Sequence, residues 1–221
     1  MSKWVFFDCD GTILDTFKMI EMATKKTFDD LLPDYQYTTE EIHRFFGPLL
    51  DESFKKYAKD ENELQKLVTY YRALSDDMQE KYVRSFDGIK ELLVSLKKLG
   101  FKLGIVSNKV TSAIIKGLTV NGLEKMFDKI IGVELLPKPK PDATGLVSFL
   151  QNEDMTEGYL VGDTAFDILC GEGVKKTFPT FKTIGVTWCK TTAEEFKKLP
   201  TDYIVNKPNE ILNCLKTKGD K

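Results

Sequence analysis

The chain has 221 residues, which is enough to bury a sizeable core in one domain, or in one domain that carries an insertion. Its 32 basic and 34 acidic residues are mixed along the chain and give a formal net charge of -2, which argues against nucleic acid as the main partner. No apolar run approaches the roughly 20 residues of a membrane-spanning helix. The four cysteines are scattered. We therefore expect a cytoplasmic protein with reduced thiols and no membrane partner.

The first apolar run is followed at once by two acidic residues. Val5 to Phe7 predict a buried parallel strand, because an unbroken apolar run has no solvent-facing side. Asp8 and Asp10 then lie at its carboxyl end, where open α/β sheets bind ligands. Two carboxylates so close together repel each other unless a cation or a proton lies between them. The pattern favours reaction chemistry over the alternative, a pair of solvated aspartates in a turn.

After Asp15 the apolar spacing becomes helical. A helix is expected from Phe17 to about Pro33, and Thr38 with Glu41 forms a capping box for a second helix. A long apolar stripe from Leu64 to Met78 predicts a further helix. Since residues 16–84 show helices and no convincing strand, we predict an inserted all-α cap domain at 16–84 and a core domain formed by 1–15 and 85–221.

From Phe86 onward, helical and strand patterns alternate. A helical segment ends near Gly100, and later apolar runs predict five more short strands. These are Phe101–Val106, Ile130–Val133, Tyr159–Val161, Thr183–Val186 and Tyr203–Val205. Most of the connections are long enough for parallel pairing. The predicted fold class is therefore α/β, with a Rossmann-like parallel sheet as the core and an inserted all-α cap.

Polar residues follow two of these later strands. Ser107 and Asn108 come after the strand at 101–106, where a hydroxyl could donate to a bound ligand, although Ser at such a position is also an ordinary helix N-cap. Asp163 and Asp167 follow the strand at 159–161 and lie one helical turn apart, as oxygen ligands of a cation would. A capped helix start is the alternative for this second pair.

Two lysines lie in a segment that is stiffened by proline. In Lys138-Pro139-Lys140-Pro141 the prolines keep the backbone extended and out of a helix. Such a segment can carry Lys138 inward, with Lys140 then solvated. A rigid surface linker with both lysines in water is the alternative.

Taken in order, these segments resemble the four motifs of the haloacid dehalogenase superfamily. Asp8-Cys9-Asp10-Gly11-Thr12 resembles the Asp-x-Asp-Gly-Thr motif, and Ser107, the Lys-Pro-x-Pro segment at Lys138 and Gly162 to Asp167 resemble the other three. The resemblance implies the fold of that superfamily (HAD fold), with Asp8 as nucleophile and Lys138 bridging it to the transferred phosphoryl group. Asp10 would act as acid and then as base. The residues expected to bind the phosphate are Gly11, Thr12, Ser107 and Asn108.

The resemblance also implies a bound Mg²⁺. The expected ligands are Asp8, Asp10, Asp163 and Asp167, of which Asp167 either binds the ion or orients a water bound to it. An all-oxygen set suits Mg²⁺, and the lack of clustered His and Cys argues against zinc.

The predicted function is a Mg²⁺-dependent phosphatase that acts through an aspartyl-phosphate on a small phosphate ester. The substrate classes considered are a phosphoglycolate-like ester, a sugar phosphate, a nucleotide and pyrophosphate, because the segment Phe46 to Phe54 resembles a substrate loop of phosphoglycolate phosphatases and related pyrophosphatases. One alternative is a phosphomutase of the beta-phosphoglucomutase type, although Ile20 stands where those enzymes carry His. Another is a non-catalytic phosphate-binding regulatory module. We expect a monomer or homodimer whose partner is the small-molecule substrate.

Overall fold

The structure, a computed structural model, describes residues 2–215. The chain divides into two compact units, one formed by Met1–Asp15 with Ser85–Lys221 and the other by Thr16–Arg84. We call them the core unit and the helical unit. Among residues 2–215, none of the helices combines the length and the apolar character needed to cross a membrane.

The core unit is built on a parallel sheet. In chain order the strands are β1 (Ser2–Phe7), β2 (Leu14–Asp15), β3 (Arg84–Ser85), β4 (Phe101–Val106), β5 (Lys129–Ile131), β6 (Met155–Gly162), β7 (Lys182–Val186) and β8 (Tyr203–Val205). Six of them form one sheet in the order β5-β4-β1-β6-β7-β8, and every neighbouring pair is parallel. β2 and β3 form a separate two-stranded sheet. The predicted α/β class with a Rossmann-like parallel sheet is confirmed.

The helical unit contains four helices and a core of its own. They are α1 (Phe17–Leu31), α2 (Thr39–His43), α3 (Leu50–Lys55) and α4 (Glu61–Tyr82). The predicted capping box is present, since the Thr38 side chain accepts from the Glu41 N–H and the Glu41 carboxylate accepts from the Thr38 N–H. Aromatic rings pack around Phe28, with Tyr57 at 4.7 Å between ring centroids. Such packing stabilises helices that would be marginal in isolation.

The helices of the core unit alternate with its strands along the chain, and the last of them follows β8. They are α5 (Ile89–Lys98), α6 (Thr111–Val120), α7 (Thr144–Gln151), α8 (Ala165–Lys175), α9 (Ala193–Phe196) and α10 (Ile211–Cys214). In the described part of this unit, three short 3-10 helices cover Glu124–Met126, Val133–Leu135 and Pro208–Glu210. The second of these explains why the strand predicted to reach Val133 ends at Ile131.

The register of the central strands fixes the position of their carboxyl ends. Phe7, the last residue of β1, lies opposite Ile105 of β4 and Val161 of β6. The three strands therefore end at nearly the same level, and the Asp8 N–H donates to the Val161 carbonyl at 2.9 Å. Val5 to Phe7 are fully buried, as expected for a parallel strand that is covered on both faces. The residues that follow these strands are thus gathered at one edge of the sheet.

Candidate active site

Three carboxylates meet at the carboxyl edge of the sheet. Asp8 follows β1, Asp163 follows β6 and Asp167 lies in the first turn of α8. One oxygen from each lies within 4.8 Å of the others, and all three residues are buried. The structure therefore brings together three of the four residues that were predicted as metal ligands.

Burial and mutual repulsion shape the electrostatics of this acidic cluster, formed by Asp8, Asp163 and Asp167. Burial, together with the negative charges of Asp8 and Asp167, raises the pKa of Asp163 well above its usual value. Burial also raises the pKa of Asp167, although the adjacent Lys140 opposes the shift. Three buried carboxylate oxygens at this spacing form a hard, anionic donor set, which suits Mg²⁺. The residues present therefore fit a divalent cation.

Lys140 reaches the acidic cluster, and Lys138 does not. The Lys140 Nζ lies 2.8 Å from Asp8 Oδ1 and 2.5 Å from Asp167 Oδ1, and its side chain is 3% exposed. Lys138 is exposed. Burial lowers the pKa of Lys140, but the charges of Asp167 and Asp8 outweigh burial and raise it, so the ammonium stays charged at neutral pH. The choice of Lys138 for the bridging position, with Lys140 in solvent, was wrong.

Asn108 explains which of the two lysines points inward. Its side-chain N–H donates to the Lys140 carbonyl at 3.0 Å, and its side-chain oxygen accepts from the Lys140 N–H at 2.8 Å. This pair of hydrogen bonds fixes the backbone at Lys140. The Asn108 amide, which was predicted to bind phosphate, is thus engaged with the backbone of the segment that carries the lysine.

Asp10 is paired with a lysine from a neighbouring strand end. Its two carboxylate oxygens lie 2.8 and 3.2 Å from the Lys109 Nζ. Burial lowers the pKa of Lys109, but the charge of Asp10 and its hydrogen bond, together with smaller contributions from neighbouring acidic groups, outweigh burial and raise it. The group of mutually close oxygens comprises Asp8, Asp163 and Asp167 and does not include Asp10. The Asp10 side chain therefore lies outside this group and forms an ion pair that the sequence did not indicate, and its role as a metal ligand stays a prediction.

Gly11 and Thr12 pack against Asp163. Gly11 has a φ of +77°, and a Cβ there would lie 2.2 Å from Asp163 Oδ2, so both the backbone conformation and the space require glycine. The Thr12 hydroxyl donates to Asp163 Oδ1 at 3.3 Å. Ser107, predicted to bind phosphate, is 3% exposed at the end of β4, and its hydroxyl accepts from the Lys109 N–H at 3.4 Å.

A segment after β7 contributes to the site and carries no motif that sequence reasoning identified. The Trp188 indole N–H donates to the Thr12 carbonyl at 3.2 Å, and the Thr191 hydroxyl donates to the Asp163 carbonyl. Burial and the charge of Asp163 raise the pKa of Cys189 to about 12, so its thiol stays protonated at neutral pH. Its position in the chain could have indicated this role, because the segment follows the carboxyl end of a strand in the same parallel sheet.

The known proteins that this chain resembles point to one family. Residues 5–178 match the haloacid dehalogenase-like hydrolase family. The chain is 30% identical to pyrophosphatase PpaX of Listeria monocytogenes over 94% of both chains, and 30% identical to pyrophosphatase PpaX of Bacillus cereus over 96% of this chain and 95% of that one. A solved haloacid dehalogenase-like hydrolase from Streptococcus pneumoniae superposes with a TM-score of 0.81 at 27% identity, over 97% of this chain and 99% of that one. The chain therefore belongs to the haloacid dehalogenase-like hydrolases.

Proposed function

We propose that this protein is a Mg²⁺-dependent phosphate hydrolase that forms an aspartyl-phosphate on Asp8. The observation that carries the proposal is the position of Asp8, whose carboxylate is buried beside Asp163 and Asp167 and held by the Lys140 ammonium at 2.8 Å. The site lies at the carboxyl edge of a parallel sheet, where α/β proteins bind ligands.

The acidic cluster needs positive charge before a phosphate can approach. Two unit charges about 4 Å apart repel by roughly 4 kcal/mol at an effective dielectric constant near 20, and a phosphate ester brings two negative charges. Lys140 offsets part of this repulsion. Asp8, Asp163 and Asp167 would hold the Mg²⁺, which when bound supplies Lewis-acid stabilisation of the phosphoryl oxygens.

The protein's own groups account for the nucleophile and the proton transfers. Asp8 attacks phosphorus, and Lys140 stabilises the charge that develops beside it. Asp10 in its acid form gives a proton to the departing oxygen, and the carboxylate that results takes one from the water that hydrolyses the aspartyl-phosphate. Lys109 holds the Asp10 carboxylate at 2.8 Å, next to the loop that carries the nucleophile. Gly11, Thr12 and Ser107 are the proposed contacts of the phosphoryl group.

Pyrophosphate is the substrate we place first among the small phosphate compounds. The relatives that are named as pyrophosphatases align over 94% or more of this chain at 30% identity. In-line attack by Asp8 on a phosphoric anhydride requires the same cationic neutralisation as attack on an ester, so the site accommodates both and the order rests on the relatives. Phosphoglycolate-like esters, sugar phosphates and nucleotides follow as the other classes to be tested.

The test is phosphate release from pyrophosphate, 2-phosphoglycolate, sugar phosphates, nucleotides and p-nitrophenyl phosphate, with Mg²⁺ and with EDTA. We expect Mg²⁺-dependent turnover that Asp8→Asn abolishes and that Asp10→Asn lowers by about 10²–10⁴-fold, the usual contribution of a proton shuttle. Asp77→Asn, at an exposed position of α4, is the matched control.

Other outcomes would point to the two alternative functions. Phosphate binding without turnover across the panel would indicate a regulatory binding module. Interconversion of hexose phosphates without net phosphate release would indicate a phosphomutase. Either result would overturn the proposed hydrolase.

A further inference from the structure

We propose that the segment Trp188–Thr191, which follows β7, positions Asp163 against residues 8–12, the nucleophile loop, and thereby sets the affinity of the site for a divalent cation. We call it the β7 clasp. The inference rests on the proposed function, because it takes the acidic cluster to be the cation site. It gives a role in the site to the residues after β7, which lie outside the four segments that resemble the family motifs.

The contacts of the β7 clasp form a closed path. The Trp188 indole N–H donates to the Thr12 carbonyl at 3.2 Å, and the Thr12 hydroxyl donates to Asp163 Oδ1 at 3.3 Å. The Thr191 hydroxyl donates to the Asp163 carbonyl, which returns the path to the clasp. The path thus ties together the residues after β1, β6 and β7.

Asp163 has little room to move within this path. Its carboxylate lies so close to Gly11 that a Cβ there would be 2.2 Å from Oδ2. Its side chain is bound by Thr12 and its backbone by Thr191, so both ends of the residue are fixed. Because one Asp163 oxygen lies within 4.8 Å of oxygens of Asp8 and Asp167, a shift of Asp163 changes the spacing of the whole donor set.

Packing holds the tryptophan end of the clasp. The centroids of the Trp188 and Phe86 rings are 6.4 Å apart, and the angle between the ring planes is 59°. The Phe86 N–H donates to the Ile13 carbonyl at 3.2 Å, next to Thr12 in the chain. Substitution of Trp188 by Phe would keep an aromatic ring for this contact and remove the indole N–H.

The clasp residues are positioning residues. Trp188 and Thr191 bind main-chain carbonyls and act through Thr12 and Asp163. Loss of a hydrogen bond that orients a metal ligand usually weakens metal affinity by about 10–100-fold. The expected signature is therefore a change in cation affinity that exceeds the change in kcat at saturating cation.

The test measures Mn²⁺ binding directly, by electron paramagnetic resonance of the free ion, in the full-length protein. Trp188→Phe and Thr191→Val should each weaken Mn²⁺ binding by about 10-fold, and the half-saturating Mg²⁺ concentration for p-nitrophenyl phosphate hydrolysis should rise in parallel. Thr191→Ser keeps the hydroxyl and should restore affinity. Thr192→Val is the matched control, because Thr192 caps α9 through Glu195, and it should bind Mn²⁺ as the wild type does.

The possible outcomes separate this inference from the proposed function. If the wild type binds Mn²⁺ and both Trp188→Phe and Thr191→Val bind it with the same affinity, only the positioning role is overturned. Absence of Mn²⁺ binding by the wild type would overturn the cation site and the inference with it. Mn²⁺ binding that depends on the clasp, in a protein that hydrolyses no phosphate compound, would support the inference while the proposed function fails. If Thr191→Val does not fold, Trp188→Phe decides the question.

Discussion

Lys138 and Lys140 lie two positions apart in the chain and have opposite environments. Lys140 is buried with two carboxylate partners, whereas Lys138 is exposed. A buried charge is tolerated when partners compensate for the loss of water, and removal of one partner leaves the others uncompensated. The two residues therefore form a matched pair in which the same substitution has very different expected effects.

Substitution of each lysine by methionine tests the corrected assignment. Lys140→Met should lower kcat/KM for pyrophosphate by about 10²–10³-fold, the usual cost of removing one electrostatic stabiliser of a transition state. Lys138→Met should stay near the wild-type value, since exposed substitutions usually have small effects. Steady-state kinetics, with circular dichroism as the check on folding, measures both. A loss confined to Lys138→Met would contradict the corrected assignment.

At this scale the sequence shows the residues that follow apolar runs and does not show the partners that lie far away in the chain. Asp8 and Asp163 follow buried strands directly, which is why they could be predicted. The hydrogen bonds of Asn108 to Lys140 span 32 positions, and the ion pair of Lys109 with Asp10 spans 99. Neither pairing leaves a local pattern, so the inward lysine and the partner of Asp10 required the folded structure.

At the scale of secondary structure elements, Asp202 connects three parts of the core unit. Its carboxylate accepts from the Thr183 N–H of β7 at 2.8 Å and binds the Lys175 ammonium of α8 at 2.6 Å. It precedes β8 in the chain. Burial acts to raise the pKa of Asp202, but the hydrogen bonds from Lys175 and Thr183 outweigh burial and lower it.

This lowered pKa predicts a pH-dependent contribution to stability. A carboxyl whose pKa is lower in the folded state stabilises the fold above its unfolded value near 3.8, and the contribution is lost as the pH falls through the folded pKa. Asp202→Asn should therefore lower the free energy of unfolding at pH 7 by about 1.5–3 kcal/mol, the range for hydrogen bonds to charged groups. The difference from the wild type should shrink below about pH 4. Urea denaturation from pH 3 to 7 measures this, and a constant difference across the range would contradict it.

The elements themselves could be predicted to different degrees. β4 and β8 begin and end at the residues that their apolar runs indicate. α3 was not predicted, because in six residues it buries only Phe54 and so shows no apolar periodicity. The short β2 and β3 have two residues each, too few for an alternating pattern. A helix or strand can therefore be predicted from the sequence only where it is long enough to show a repeated apolar pattern.

At the scale of the whole molecule, the proposed cation site would link cation binding to folding. Asp8 lies near the start of the chain, and Asp163 and Asp167 follow β6, so the three carboxylates come together only when the sheet has formed. A ligand that binds the folded state alone stabilises it by mass action. Cation binding should therefore be visible as global stability.

Removal of the cation tests this link. At about 100 times its dissociation constant, Mg²⁺ should raise the free energy of unfolding by roughly 2.7 kcal/mol relative to EDTA. Asp163→Asn should lose most of this increment, whereas Asp77→Asn should keep it. Denaturation curves with Mg²⁺ and with EDTA measure the difference. An equal increment in Asp163→Asn and the wild type would show that the cation binds elsewhere.

The two tryptophans of the chain lie at opposite ends of the sheet. Trp4 is buried near the amino end of β1, stacked on Phe6 with 5.0 Å between ring centroids, whereas Trp188 follows the carboxyl end of β7 and contacts the nucleophile loop. The wild-type emission spectrum therefore combines an interior fluorophore and one at the site. A Trp4→Phe protein would carry a single tryptophan, beside the acidic cluster, so that occupancy of the site could be followed by tryptophan emission without an added dye.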